Sequence, residues 1–131
     1  EEWPDLFVAN GCYRVLSREN VELGLPAPLV YYYSQGMMRD RVTAIRDALT
    51  FEFVYTRRFA TNVRVTARAD GDHDARSNVA IFQSTEEGHT RLFAVGSYHD
   101  VVAMTPEGLR FRSRDVIIDT FGIQNLIAVP L

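Results

Sequence analysis

Four consecutive runs of alternating apolar and polar residues fill the second half of this chain, and they leave few folds open to it. Arg57 to Arg68 sets Val63, Val65 and Ala67 against Arg64, Thr66 and Arg68. Ala75 to Gln83 carries Val79 and Ile81 on one face and Asn78, Ala80 and Phe82 on the other. Arg91 to Met104 and Leu109 to Asp119 follow. Successive side chains of a strand point to opposite faces. Four such runs, broken at the turn-rich links 69–74, 84–90 and 105–108, therefore predict an antiparallel meander between Tyr55 and Leu131. Everything before Tyr55 must cover it.

Glu2 to Val8 reads as the last turns of a helix, with Trp3, Leu6 and Phe7 on one side and Asn10-Gly11 as its stop. Cys12 to Leu16 alternates as a short strand. Residues 17–28 read as a loop punctuated by Gly24, Pro26 and Pro28, and Leu29 to Tyr33 as an extended segment packed on the sheet. Ser34 is a helix N-cap candidate. Met38, Val42, Ile45 and Leu49 follow at steps that share one helical face, opposite Arg39, Asp40, Thr43, Arg46 and Asp47. This amphipathic helix is expected on the concave side of the sheet. The predicted architecture is α+β: a cone or half-barrel in which a curved antiparallel sheet wraps around N-terminal helices.

The 131 residues suit a single domain spanning 1–131 that buries its core without staples. The chain opens without Met on what reads as the end of a helix, so a first helix is expected to precede Glu1. No run approaches the roughly 18–20 apolar residues of a membrane helix, because Pro26 and Pro28 interrupt the most apolar stretch. The single cysteine, Cys12, excludes an internal disulfide and fits a reducing cytoplasm, where it reads as a buried small residue of a strand. A formal net charge of -3 argues against a nucleic-acid partner. All 14 basic residues are arginine. Arginine is enriched at interfaces, where lysine is depleted, and a GC-rich genome produces the same bias.

Strict alternation in the fourth run puts Arg110, Arg112 and Arg114 on one face and Leu109, Phe111, Ser113, Asp115 and Ile117 on the other. Apolar residues occupy both faces of the second run. One helix cannot cover two faces, so a partner chain is expected on the outer one.

Recognisable catalytic patterns are missing. The chain contains no Gly-rich phosphate loop, no GxSxG elbow and no CxxC pair. His73 stands among Asp70, Asp72 and Asp74, yet a calcium loop needs Gly at its sixth place and Glu at its twelfth, where Ala75 and Ile81 stand. The cluster reads as a solvated hairpin tip. His73, His89 and His99 lack the spacing of a two-histidine, one-carboxylate iron site. A cone nevertheless has an interior, where a small isomerase or cyclase would place an Asp or His base and a Tyr donor. Tyr13, Asp40, Tyr98, His99 and Asp100 are the candidates. Since neighbours in a strand face opposite ways, His99 and Asp100 cannot both line it.

Several stretches together resemble one family. Thr56-Arg57-Arg58-Phe59-Ala60-Thr61-Asn62-Val63, then Arg76-Ser77-Asn78-Val79, then Phe93-Ala94-Val95-Gly96-Ser97-Tyr98-His99-Asp100 are similar to the small (β) subunits of Rieske-type aromatic-ring-hydroxylating dioxygenases. So is the closing run from Arg114-Asp115-Val116-Ile117-Ile118-Asp119 through Asn125-Leu126 to Leu131. Trp3-Pro4-Asp5-Leu6-Phe7, Tyr13-Arg14-Val15, Arg18-Glu19-Asn20 and Met37-Met38-Arg39-Asp40-Arg41-Val42 resemble the branch acting on single-ring aromatic carboxylates, as in terephthalate dioxygenase and salicylate 5-hydroxylase. Arg58 stands where many members have histidine, so an ion pair would replace that histidine's hydrogen bond.

The resemblance implies a cone like that of nuclear transport factor 2 and ketosteroid isomerase. It implies a non-catalytic structural subunit that assembles with a large α subunit, three of each, without cofactor or metal of its own. The α subunit would carry the 2Fe-2S Rieske cluster and the mononuclear Fe(II), with electrons from NADH. A Rieske centre needs two cysteines and two histidines, and this chain has one cysteine. Arg57, Arg58, Arg110, Arg112 and Arg114 are the expected contacts to the carboxylates of neighbouring subunits. Two other readings stay open: a free-standing isomerase or cyclase with its own pocket, and a silent binding module of the same fold.

Overall fold

The computed structural model describes residues 2–25, 27–47, 54–119 and 131. Six strands form one curved sheet: β1 (Phe7–Ser17), β2 (Val30–Tyr32), β3 (Val54–Ala67), β4 (His73–Thr85), β5 (Thr90–Thr105) and β6 (Gly108–Ile118), in the order β2-β1-β6-β5-β4-β3. β3 to β6 are the antiparallel meander that the alternation predicts. β1 joins β6 in parallel, so the sheet is mixed rather than wholly antiparallel.

The N-terminus departs from expectation. Trp3–Leu6 forms a single 3-10 turn, and β1 begins at once, so Asn10-Gly11 lies within a strand and ends no helix. The register of β1 against β6 slips between Phe7 and Cys12. A Cβ on Gly11 would stand 2.8 Å from the Val8 carbonyl and 2.9 Å from the Phe7 Cβ. Glycine serves here as an irregularity that bends a strand. Trp3 and Phe7, whose spacing suggested a helix, instead meet Tyr13 edge-on, with ring centroids 5.1 and 6.3 Å away.

The expected loop contains a short helix, α1 (Arg18–Glu22), capped by Ser17, whose Oγ accepts from the Asn20 N–H at 3.2 Å. The amphipathic helix α2 (Gln35–Asp47) starts after Ser34, whose Oγ accepts from the Met37 N–H at 3.3 Å. Met38 is fully buried and Val42 and Ile45 are half-buried, as the spacing predicts, while Leu49 lies outside the described residues. α2 packs on β1, β2 and the 3-10 turn rather than beneath the whole meander. The Gln35 side-chain amide anchors it by donating to the carbonyls of Pro4 and Phe7 at 3.1 and 3.2 Å.

Tyr13, Val15, Val79, Ile81, Ala94, Tyr98, Val116 and Ile118 share the inner face of the sheet and enclose Met38. Each fully buried apolar side chain contributes about 1.5–3 kcal/mol. Gly96 lies opposite Ile118 in this packing, and a Cβ there would fall 2.0 Å from the Ile117 carbonyl oxygen. Only a residue without a side chain fits.

Candidate subunit-contact site and cone interior

The face expected to gather Arg110, Arg112 and Arg114 does not exist. In β6, Ser113 pairs with Val101 and Phe111 with Val102, so Arg112 is an extra residue, a β-bulge. The bulge reverses the alternation and puts Phe111 on the same face as Arg114, against Phe7 at 5.4 Å. That face is the inner one.

Arg114 lies opposite Asp100 and binds it through two contacts, Nε to Oδ1 at 2.9 Å and Nη2 to Oδ2 at 2.7 Å. Its guanidinium carbon sits 4.2 Å from the Tyr98 ring centroid and 4.1 Å from that of Phe111. Arg112 reaches across β5 to Asp72, with an Nη2 to Oδ1 contact of 3.1 Å, and holds that carboxyl below its usual range. Arg110 donates to the Leu109 carbonyl at 2.9 Å and borders an open cleft of about 490 Å³ together with Asp5 and Glu107. Arg57 pairs with Phe82 on the outer face. Arg58 pairs with Ile81 on the inner face, where its charge is felt at Tyr13 and Tyr98. The five arginines thus occupy both faces.

The candidates for an acid–base pocket separate as well. The Tyr13 hydroxyl accepts from the Leu131 N–H at 2.9 Å, and burial pushes its phenol up. Tyr98 lies under Arg114, also raised by burial, and Asp100 is ion-paired. His99 is on the outer face between Arg76 and Asp115; burial first, then Arg76, pulls its pKa down. Asp40 is exposed on α2. The interior is packed by side chains including Val79, Ile81, Ala94, Val116 and Leu131. No free carboxylate faces a tyrosine there among the described residues.

At the β3–β4 hairpin, Arg68 holds Asp70 at 3.2 Å and Asp74 at 3.1 Å, and Arg112 holds Asp72. All three carboxylates of the apparent calcium loop are engaged by arginine. Among the described residues no cluster of three or more His, Cys, Asp or Glu converges as a metal site. Cys12 is half-buried in β1, and burial is the main reason its thiol is pushed up.

Pairing reveals a feature that alternation alone did not. One transverse row crosses the outer face of all six strands: Arg64, Arg76, His99, Asp115, Arg14 and Tyr31. Arg14 binds Asp115 through contacts of 2.7 and 2.5 Å. Arg64 and Arg76 face each other directly. The slip between Thr61 and Arg64, with Asn62 at a φ of 53°, sets this register and is not readable from a run of alternating residues.

Residues 1–125 match the family described as ring hydroxylating beta subunit. The chain belongs to the ring-hydroxylating β-subunit family. It is 36% identical over 131 residues to the small subunit of anthranilate 1,2-dioxygenase from Burkholderia cepacia, covering all of this chain and 81% of that protein. It is 30% identical over 134 residues to the beta 1 subunit of the terminal oxygenase component of terephthalate 1,2-dioxygenase from Comamonas, covering all of this chain and 85% of that one. The crystal structure of the β subunit of a proposed aromatic-ring-hydroxylating dioxygenase from Novosphingobium aromaticivorans superposes with a TM-score of 0.87 at 35% identity, covering 99% of this chain and 82% of that one. The β-subunit fold is therefore the α+β cone expected from the order of elements. The chain is a small subunit of an aromatic-ring-hydroxylating dioxygenase, a component of an oxidoreductase complex.

Proposed function

We propose that this β subunit is structural and that its large partner performs the chemistry in the cytoplasm. The observation that supports this most is the fate of Asp100: this candidate base, on the inner face, is bound on both oxygens by Arg114. With both oxygens occupied by the guanidinium, neither is placed to take a proton from a substrate. Tyr13 is likewise occupied by Leu131.

In this reading the α subunit carries the 2Fe-2S Rieske cluster and the mononuclear Fe(II) and receives electrons from NADH, and three α chains assemble with three β chains. The substrate is a single-ring aromatic carboxylate, a class that includes the anthranilate and terephthalate named for the two relatives. Arg57, Arg58 and Arg110 are proposed contacts to neighbouring subunits. Arg112 and Arg114 contribute indirectly, by locking the hairpin tip and the inner face through Asp72 and Asp100. Reconstitution tests the proposal. The large subunit with its reductase should hydroxylate aromatic carboxylates and lose most of that activity without this chain. Full activity of the large subunit alone would overturn it.

A further inference from the structure

The outer face of β3 to β5 carries a charge arrangement that costs stability within this chain. Arg64 and Arg76 are directly opposed across β3 and β4, and like charges so placed repel. Neither has an ion-pair partner among the described residues. The two nearby carboxylates of the outer face are already engaged, Asp74 by Arg68 at 3.1 Å and Asp115 by Arg14 at 2.5 Å. Further along the same face, opposite Ala80 and Phe82 and so four and six residues beyond Arg76 in β4, Phe59 and Leu92 are 57% and 54% exposed, and Phe59 meets Phe82 edge-on at 5.7 Å. Arg57, opposite Phe82, borders them. Among the described residues, helix α1 packs only against β1 and β6, leaving this end of the outer face uncovered.

We propose that the outer face of β3 to β5, running from Arg64 and Arg76 along to Phe59, Phe82 and Leu92, docks an acidic segment of the large subunit. This rests on the chain being a structural subunit. Charge selects the occupant. The patch is cationic with no carboxylate to spare, so two copies meeting through the same patch would oppose arginine to arginine. A carboxylate-bearing partner removes the repulsion and forms forked ion pairs, the chemistry in which arginine excels, while the aromatic end of the same face supplies an apolar anchor.

The test uses the whole chain and its large-subunit partner, with affinity measured against ionic strength and each β chain also melted alone. Arg64→Glu should weaken the complex about tenfold at low salt and flatten its salt dependence. The isolated variant should melt no lower than the original, because the introduced carboxylate would face Arg76. Arg64→Glu/Arg76→Glu should weaken the complex at least as much, and Arg46→Glu on the far side of α2 should leave it unchanged. Binding by both Arg64 variants at the original affinity overturns the surface. Self-association lost while large-subunit affinity holds overturns it in favour of a second copy. An original chain that ignores the large subunit overturns the structural-subunit reading, and the surface with it.

Discussion

Arg114 and Asp100 form a forked ion pair on the inner face of the sheet, with the guanidinium held between the rings of Tyr98 and Phe111. Asp100, a candidate base for an interior pocket, is thereby made a structural fastening.

Breaking one half of the pair should be costly. Arg114→Ala leaves Asp100, only 7% exposed, charged and without its partner, and should destabilise the chain by about 3–5 kcal/mol. Replacing both, as Asp100→Leu/Arg114→Met, should recover most of that loss. Urea unfolding with a two-state fit checks both, and equal losses for the single and double variants would contradict the account.

Gly96→Ala should destabilise by about 3 kcal/mol or more, because the added methyl would fall 2.0 Å from the Ile117 carbonyl oxygen and force β5 and β6 apart. The same substitution at Gly71, where no atom lies within 4 Å, meets only the strain of a φ of 91° and should cost less. Melting temperatures of the two variants rank them.

Alkaline pH should expose the buried phenols. Tyr13 and Tyr98 titrate higher in the fold than the ordinary value of about 10, since burial disfavours their ionised forms. Their contribution is complete below about pH 10 and is lost at higher pH, where the unfolded chain releases protons that the folded chain retains. Tyr13→Phe should remove part of this dependence. It should also cost about 1 kcal/mol at neutral pH, from the lost Leu131 hydrogen bond.

Mild acid acts on His99, whose pKa is lowered by burial and then by Arg76. The stability contributed by its neutral form is present above about pH 6.5 and declines as pH falls through the lowered value. His99→Gln should flatten the stability profile just below pH 6.5. Asp72, lowered by Arg112, gives way only in stronger acid. Chemical denaturation at stepped pH separates the two.

The meander and α2 were legible because alternation and helical spacing are local properties, and Ser34 marks the helix start with a cap that the fold uses. The parallel pairing of β1 with β6 was not legible, since no local pattern records which distant strand lies alongside. Three irregularities hid the rest. The kink around Gly11 made a strand look like the end of a helix. The bulge at Arg112 put Phe111 on the inner face together with Arg114, where strict alternation had set them on opposite faces. The slip near Asn62 set Arg64 against Arg76. Each interrupts a periodic run, and a shift of one residue is enough to reverse every side chain beyond it.

Aromatic hydroxylation by the purified large subunit and reductase, assayed with and without this chain and alongside the chain alone, tests the central claim most directly. The account predicts no turnover by the isolated β subunit and a stable complex whose activity depends on it. Turnover of a small molecule by the isolated chain, abolished by Asp100→Asn, would contradict it.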